Sequence, residues 1–223
     1  AAGIKLVFMD NVPTGMAPGK DYVSVVASDN ERNAYYAAKE LVGAIGGKGE
    51  VGIITLVYDY YYSVAARKVG AQKAFAEAPG VKVVQIGTFD APEKAYNVAT
   101  AMLTAHPDLK GIFVAWDTPA QQVVAAAKTL GRKVIVVTND LAADSALNVA
   151  RGEFLAVGAQ RPYDQGVAEA QAAGYALLGL PVPPYISVPT LRVKKANLLS
   201  ALAAVTKEPP PASVVKICDG ACF

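Results

Sequence analysis

Short apolar runs rich in Val and Ile alternate along the whole chain with longer stretches whose apolar residues recur at helical spacing. The runs at residues 4–9, 22–27, 51–57, 81–87, 111–115, 133–138, 154–159 and 185–188 predict strands, and the stretches at 31–45, 63–77, 92–105, 119–130, 142–151 and 163–178 predict helices. Near-continuous β-branched runs separated by helices are the pattern of parallel strands buried on both faces, so the fold class is α/β. Asp29 and Asn30 are placed to cap the helix from residue 31, Gly46 and Gly47 to end it, and Pro92 suits a first turn.

From residue 31 to 160 the pattern supplies a complete doubly wound lobe. Residues 1–28 and 161–189 supply about three strands and one long helix, too little to cover both faces of a second sheet, which predicts further chain ahead of Ala1. After Val205 the run TKEPPPASVVK carries three consecutive prolines. Prolines in series cannot continue a helix and favour an extended segment, so the tail is expected as a surface arm.

Composition narrows the function classes. The chain has 223 residues, 53 % of them hydrophobic and 18 % charged, enough to bury one large core or two small ones. Its longest apolar runs fall short of the roughly 18 residues that cross a bilayer. The net charge is +2 with Lys and Arg scattered, so nothing in the electrostatics points to nucleic acid. The start, AAGIKLVFMD, lacks a positive region and an A-x-A cleavage site, as in a mature chain or a fragment. Cys218 and Cys222 are the only cysteines; a terminal disulfide would fit an oxidising compartment, the other readings being two free thiols or a zinc site. His106, the single histidine, most simply closes a helix C-terminus.

Candidate chemistry gathers at strand ends. LVFMD at Asp10, GIFVAWD at Asp117 and VIVVTND at Asp140 each place a carboxylate just past a strand, where ligands of open α/β sheets bind. An ionised carboxylate accepts two hydrogen bonds from vicinal hydroxyls, which suits a polyol or an amine; the alternative is a cap for the next helix, and Asp117 before Thr118-Pro119 fits that best. Tyr61, within the run 58–62, and Trp116 could wall a ring, or pack structurally. Arg67, in the first turn of the helix begun by Ser63, sits at the unfavourable end of the dipole and could grip ligand oxygens or a carboxylate, or pair with Asp59 or Asp90. Gln160 offers both a donor and an acceptor to a hydroxyl or to hinge backbone. No nucleophile elbow or phosphate loop is present and no G-x-G-x-x-G follows a strand, so the reading is a non-enzyme without a cofactor.

MDN at 9–11, VVASDN at 25–30, SVAARKVGAQKAF at 63–75, LTAHPDLKGIFVAWD at 103–117 and GAQRPYDQG at 158–166 together resemble the ribose-binding group of periplasmic solute-binding proteins of ABC transporters. The resemblance runs from Ala1 to about Val193, and the tail has no counterpart. It implies the type I periplasmic-binding-protein fold: two doubly wound lobes joined by three hinge strands near Asp29, Gln160 and Pro189, with the first lobe incomplete. On that reading 1–29 with 161–189 form the first lobe, 30–160 with 190–195 the second, and 196–223 an extension.

The implied protein is made with a signal peptide, resides in the periplasm, closes on a sugar or polyol and delivers it to a membrane permease. By position, Asp10, Arg67, Asp140 and Gln160 match family residues that bond the sugar. Trp116 stands for an Asn, Asp90 for an aromatic, Asn11 for an Arg and Asn139 for an aromatic, departures that point away from ribose. The implied capture bridges Asp10 and Gln160 to Arg67, Asp90 and Asp140. The resemblance also implies about three βα units ahead of Ala1, so a missing fragment or a swapped dimer is expected against the first sheet. The effector-binding core of a LacI-type repressor, which shares the fold, is the alternative.

Overall fold

A computed structural model describes residues 3–218, 220 and 222. The chain forms two separate sheets. The smaller consists of β1 (Val7–Met9), β2 (Ser24–Ser28) and β8 (Tyr185–Val188), all parallel, with β2 in the centre. The larger contains β3 (Lys48–Leu56), β4 (Gly80–Phe89), β5 (Leu109–Val114), β6 (Ile135–Asn139), β7 (Ala156–Ala159) and β9 (Leu191–Lys194). Its order is β4-β3-β5-β6-β7-β9, parallel except for β9, so the order reverses between β3 and β5, the place where such sheets open a crevice at their carboxyl edge.

Helices cover both faces of the larger sheet. On one side α1 (Asn30–Ala44) and α2 (Tyr62–Ala76) bury Leu41, Val51, Ile53, Phe75 and Phe113. On the other, α3 (Ala95–Ala105), α4 (Asp117–Thr129) and α5 (Ala143–Arg151) enclose Met102, Leu103, Ile112, Val123 and Phe154. The α1–α2 crossing is so close that a Cβ on Gly70 would strike the backbone carbonyl of Glu31. Only glycine fits there, and the approach sets the start of α2 beside that of α1.

The chain passes between the sheets three times. It leaves β2 at Asp29, whose side chain caps α1 by accepting from the Arg32 N–H at 3.1 Å. It returns from β7 through Gln160 into α6 (Pro162–Leu177), which packs on β1 and β2, and crosses again between β8 and β9 at Pro189 and Thr190. Proline at the first position of α6 fits a helix that starts abruptly after an extended segment.

The tail corrects the expectation of a surface arm. After β9, α7 (Leu198–Thr206) buries Leu198, Leu199, Leu202 and Val205 in the core of the larger sheet, and α8 (Ala212–Cys218) adds Val214. α7 ends in its C-cap Lys207, left-handed with φ of 59°, and after Pro209 and Pro210 the Pro211 carbonyl accepts from the Val214 and Val215 N–H groups and a new helix begins at once. Apolar area buried by four large side chains outweighs the local preference for extension. The strand expected from residue 4 begins at Val7, because residues 4–6 lie exposed outside the ladder. Cys218 and Cys222 form a close pair, with Cα atoms 5.3 Å apart.

Candidate functional site

Met9, Asp10, Pro162 and Gln165, at the β1 edge and the start of α6, meet Asp140, Leu141, Ala142 and Gln160 from the larger sheet around a cleft of about 380 Å³, with Val205 of α7 at its margin. Asp10 directly follows β1 and Asp140 directly follows β6. Both are left-handed, with φ of 58° and 74°. Each nevertheless donates its backbone N–H to the neighbouring strand, Asp10 to the Val26 carbonyl at 3.0 Å and Asp140 to the Gly158 carbonyl at 2.8 Å. A non-glycine residue pays about 1–2 kcal/mol for this conformation, and Asp is among the few that tolerate it. The same sharp exit from a strand thus sets a carboxylate at the edge of both sheets.

The Asp140 carboxylate receives three side-chain hydrogen bonds. Arg67 grips it in a fork, Nη1 to Oδ2 at 2.8 Å and Nη2 to Oδ1 at 2.9 Å, and the Gln160 amide donates to Oδ1 at 2.6 Å. The Arg67 side chain is only 4 % exposed, and its remaining contacts are also internal: Nε donates to Asn30 Oδ1 and Nη1 to the Ala115 carbonyl, both at 3.0 Å. A guanidinium so fully engaged orients a carboxylate before any ligand arrives. The alternative of a surface Arg67 paired with Asp59 or Asp90 does not hold. Asp59 pairs with Lys68, Asp90 with Lys94, and Arg67, in the second turn of α2, meets its opposite charge across the sheet edge.

Asp117 lies close enough to Asp140 to feel its charge. Its carboxyl is raised above the usual carboxylate range, first by burial and then by Asp140, with the Ser145 and Thr118 hydroxyls and the Thr118 N–H pulling the other way. On the smaller sheet, the buried amide of Gln165 donates to Asp10 Oδ1 at 3.0 Å and to the Val26 carbonyl at 3.1 Å. Glu169, one turn further along α6, has its carboxyl raised by burial, with the neighbouring Gln165 side chain pulling it down and the charge of Asp10 pushing it up.

Other expected residues are dispersed. Asn139 is fully enclosed; its Nδ2 reaches the Gly158 carbonyl at 3.5 Å, and both it and Asn33 crowd the space where Gly158 would carry a Cβ. Its side chain lies inside the sheet. Asp90 pairs with Lys94 at the surface. Trp116 is half-buried and meets Phe89 edge-on at 5.2 Å just before α4. Tyr61 is exposed, with its ring 4.7 Å from that of Tyr60. Asn11 accepts weakly from the Ser63 N–H at 3.5 Å, linking the β1 edge to α2. Gln165, inside the motif GAQRPYDQG, carried no role in the sequence; the helix start at Pro162, two residues after Gln160, was the signal that could have found it.

A family model described as a periplasmic binding protein domain matches residues 1–180. The chain belongs to this periplasmic binding protein family. Among its relatives, the D-allose-binding periplasmic protein of Escherichia coli (strain K12) is 33 % identical over 162 residues, covering 71 % of this chain and 51 % of the relative. The D-apiose import binding protein of Actinobacillus succinogenes is 29 % identical, covering 74 % of this chain and 53 % of the relative. The chain spans about half the length of these curated relatives.

Solved periplasmic binding proteins superpose closely. An ABC-transporter solute-binding protein from Agrobacterium vitis, bound with α-D-tagatopyranose, gives a TM-score of 0.82 at 26 % identity, over 94 % of this chain and 72 % of that one. Another from Actinobacillus succinogenes 130z, with bound D-allose, gives 0.78 at 30 % identity, over 86 % and 70 %. The fold is therefore the type I periplasmic-binding-protein fold, with two mainly parallel sheets joined by three crossings. The chain is a periplasmic protein by kinship, and no helix among the described residues is long and apolar enough to cross a membrane.

Proposed function

We propose that this chain captures a sugar or polyol in the cleft between its two sheets, as the solute-binding component that feeds an ABC-transporter permease. The observation that carries the reading is the pair Asp10 and Asp140: two carboxylates from different sheets, each left-handed after a strand end and each receiving a glutamine amide, at one cleft. A cleft of about 380 Å³ falls within the ordinary range for small-molecule sites. Residues 1–29 and 161–189 act as one lobe and 30–160 with 190–195 as the other, bending at Asp29, Gln160 and Pro189.

Vicinal hydroxyls donate to the free acceptor positions of the two carboxylates, and Gln160 turns to a hydroxyl or keeps Asp140 in place. Arg67 works behind Asp140, fixing its orientation and neutralising its charge. A ligand bonded to both lobes at once stabilises the closed state by its differential contacts. In the oxidising periplasm the close pair Cys218 and Cys222 forms a disulfide. Its test is the intact mass of the same sample, which alkylation without reductant should leave unchanged.

Titration calorimetry against D-allose, D-ribose, D-tagatose and D-arabinose tests the reading. One or more should bind, and Asp140→Asn and Asp10→Asn should each weaken that sugar at least about tenfold, the loss of a charge-assisted hydrogen bond. Variants that bind as tightly as the parent, or no heat with any sugar or polyol, would overturn it.

A further inference from the structure

One crossing carries both positioning amides. Gln160 lies at the end of β7 and donates to Asp140; five residues on, Gln165 lies in the second turn of α6 and donates to Asp10. We propose that Gln165 is a positioning residue for Asp10, dictating which of its oxygens a ligand can use and so which hydroxyl configuration the cleft accepts. The inference rests on the sugar-binding reading above and deepens it.

Three observations support it. Gln165 is 3 % exposed, so its amide must find partners inside the protein, and both it finds belong to the smaller sheet: Oδ1 of Asp10 and the carbonyl of Val26. Val26 is also the residue whose carbonyl accepts the backbone N–H of Asp10, so side chain and main chain of Asp10 are referred to a single point on β2. Finally, Asp10 has no guanidinium comparable to that of Arg67. Among the described residues, Gln165 provides the side-chain hydrogen bond that Asp10 receives. Asp140 is fixed by a fork and an amide, Asp10 by one amide.

With Oδ1 facing Gln165, Oδ2 of Asp10 is the oxygen left for a hydroxyl, and its direction is set by an amide rooted in α6. A site that reads one hydroxyl through a fixed acceptor discriminates epimers, because the wrong epimer leaves that acceptor buried and unpaired. Removal of the amide frees the carboxylate to turn and should blur the distinction at that one position.

Two measurements on the full chain test this. In the amide NMR spectrum of the parent, assigned by the loss of its pair in Gln165→Met, both side-chain protons of Gln165 should exchange slowly with water. In Asp10→Ala one should become fast while the other, on the Val26 carbonyl, stays slow. Two fast protons in the parent, or an Asp10→Ala spectrum with both still slow, would overturn the link.

The second measurement compares affinities for D-ribose with its C2 epimer D-arabinose and its C3 epimer D-xylose, and for D-allose with its C2 epimer D-altrose and its C3 epimer D-glucose, between parent and Gln165→Met. The ratio between sugars differing in configuration at one hydroxyl should shrink about fivefold or more at one position and hold at the others. A uniform loss across all sugars, or no change, would overturn the specificity role. If no sugar binds the parent, the sugar reading fails, and the exchange data decide by themselves whether Gln165 positions Asp10. Should Gln165→Met not fold, Asp10→Ala carries the exchange test, with the Gln165 pair assigned in the parent by through-bond spectra.

Discussion

The two sheets meet at one cleft but are built to different standards. The six-stranded sheet is sealed on both faces: Phe113 and Phe75 lie buried toward α1 and α2, Ile112 and Met102 toward α3 and α4, and α7 closes the margin with Leu198 and Leu202. The three-stranded sheet has a small buried cluster of Tyr22, Val25 and Ala27 with Phe8 and Met16 against it, while Ile4, Leu6, Met9, Leu177 and Leu178 stand exposed around it. The side chains of the cleft follow the same contrast. Asp140 is locked by Arg67, which is anchored in the core, and by Gln160 at the end of β7, whereas Asp10 depends on Gln165 and a thin sheet. One half of the cleft is therefore preorganised by packing, and the other half is the one that is easier to move.

The sharpest way to break this comparison is to damage both cores equally. Phe113→Ala should cost about 3–5 kcal/mol, the range for deleting a buried ring, while Phe8→Ala, at a half-exposed ring resting edge-on against Tyr22, should cost under about 2 kcal/mol. Chemical denaturation of both variants measures the difference. Amide exchange should show β1, β2 and β8 opening before β3, β5 and β6. Equal losses and equal protection would mean that the two halves unfold as one.

Arg67→Ala should come next, at about 3 kcal/mol, the low end for breaking a buried pair because the Asp140 side chain keeps 29 % exposure. The variant strands Asn30, the Ala115 carbonyl and Asp140 together. Denaturation of Arg67→Ala checks it. A loss below about 1 kcal/mol would show the fork to be a surface-like pair that contributes little.

The smallest effect concerns pH. Burial raises the Asp117 carboxyl, so between the ordinary carboxylate value and its folded value the native protein holds a proton that the unfolded chain has released. Its contribution to stability is present below that window and is lost as pH rises through it. Asp117→Asn should remove this slope and melt about 1–2 °C above the parent at pH 7, the curves converging at acid pH. A lower melting temperature at pH 7 would mean that the bonds from Ser145 and Thr118 outweigh burial and the charge of Asp140.

Hydrophobic periodicity determined a great deal. The alternation of β-branched runs with amphipathic stretches yields the α/β class, eight of the strands within a few residues and the six helices up to α6, because burial on one face or two leaves its period in the local sequence. The spacing of acids after strand ends likewise pointed to Asp10 and Asp140, since a strand delivers whatever follows it to the sheet edge.

Tertiary structure alone decided the rest. The pairing of Arg67 with Asp140 spans 73 residues and depends on the order in which parallel strands assemble, which no local pattern encodes. Asn139 and Asp140 are adjacent in sequence, yet strand alternation turns one into the core and a left-handed residue sets the other at the edge. The tail folds onto the larger sheet because its apolar residues find a face to cover, despite prolines that locally oppose it. Gln165 acquires a role only when α6 lies against β2, since an amide becomes informative once burial forces it to choose its partners.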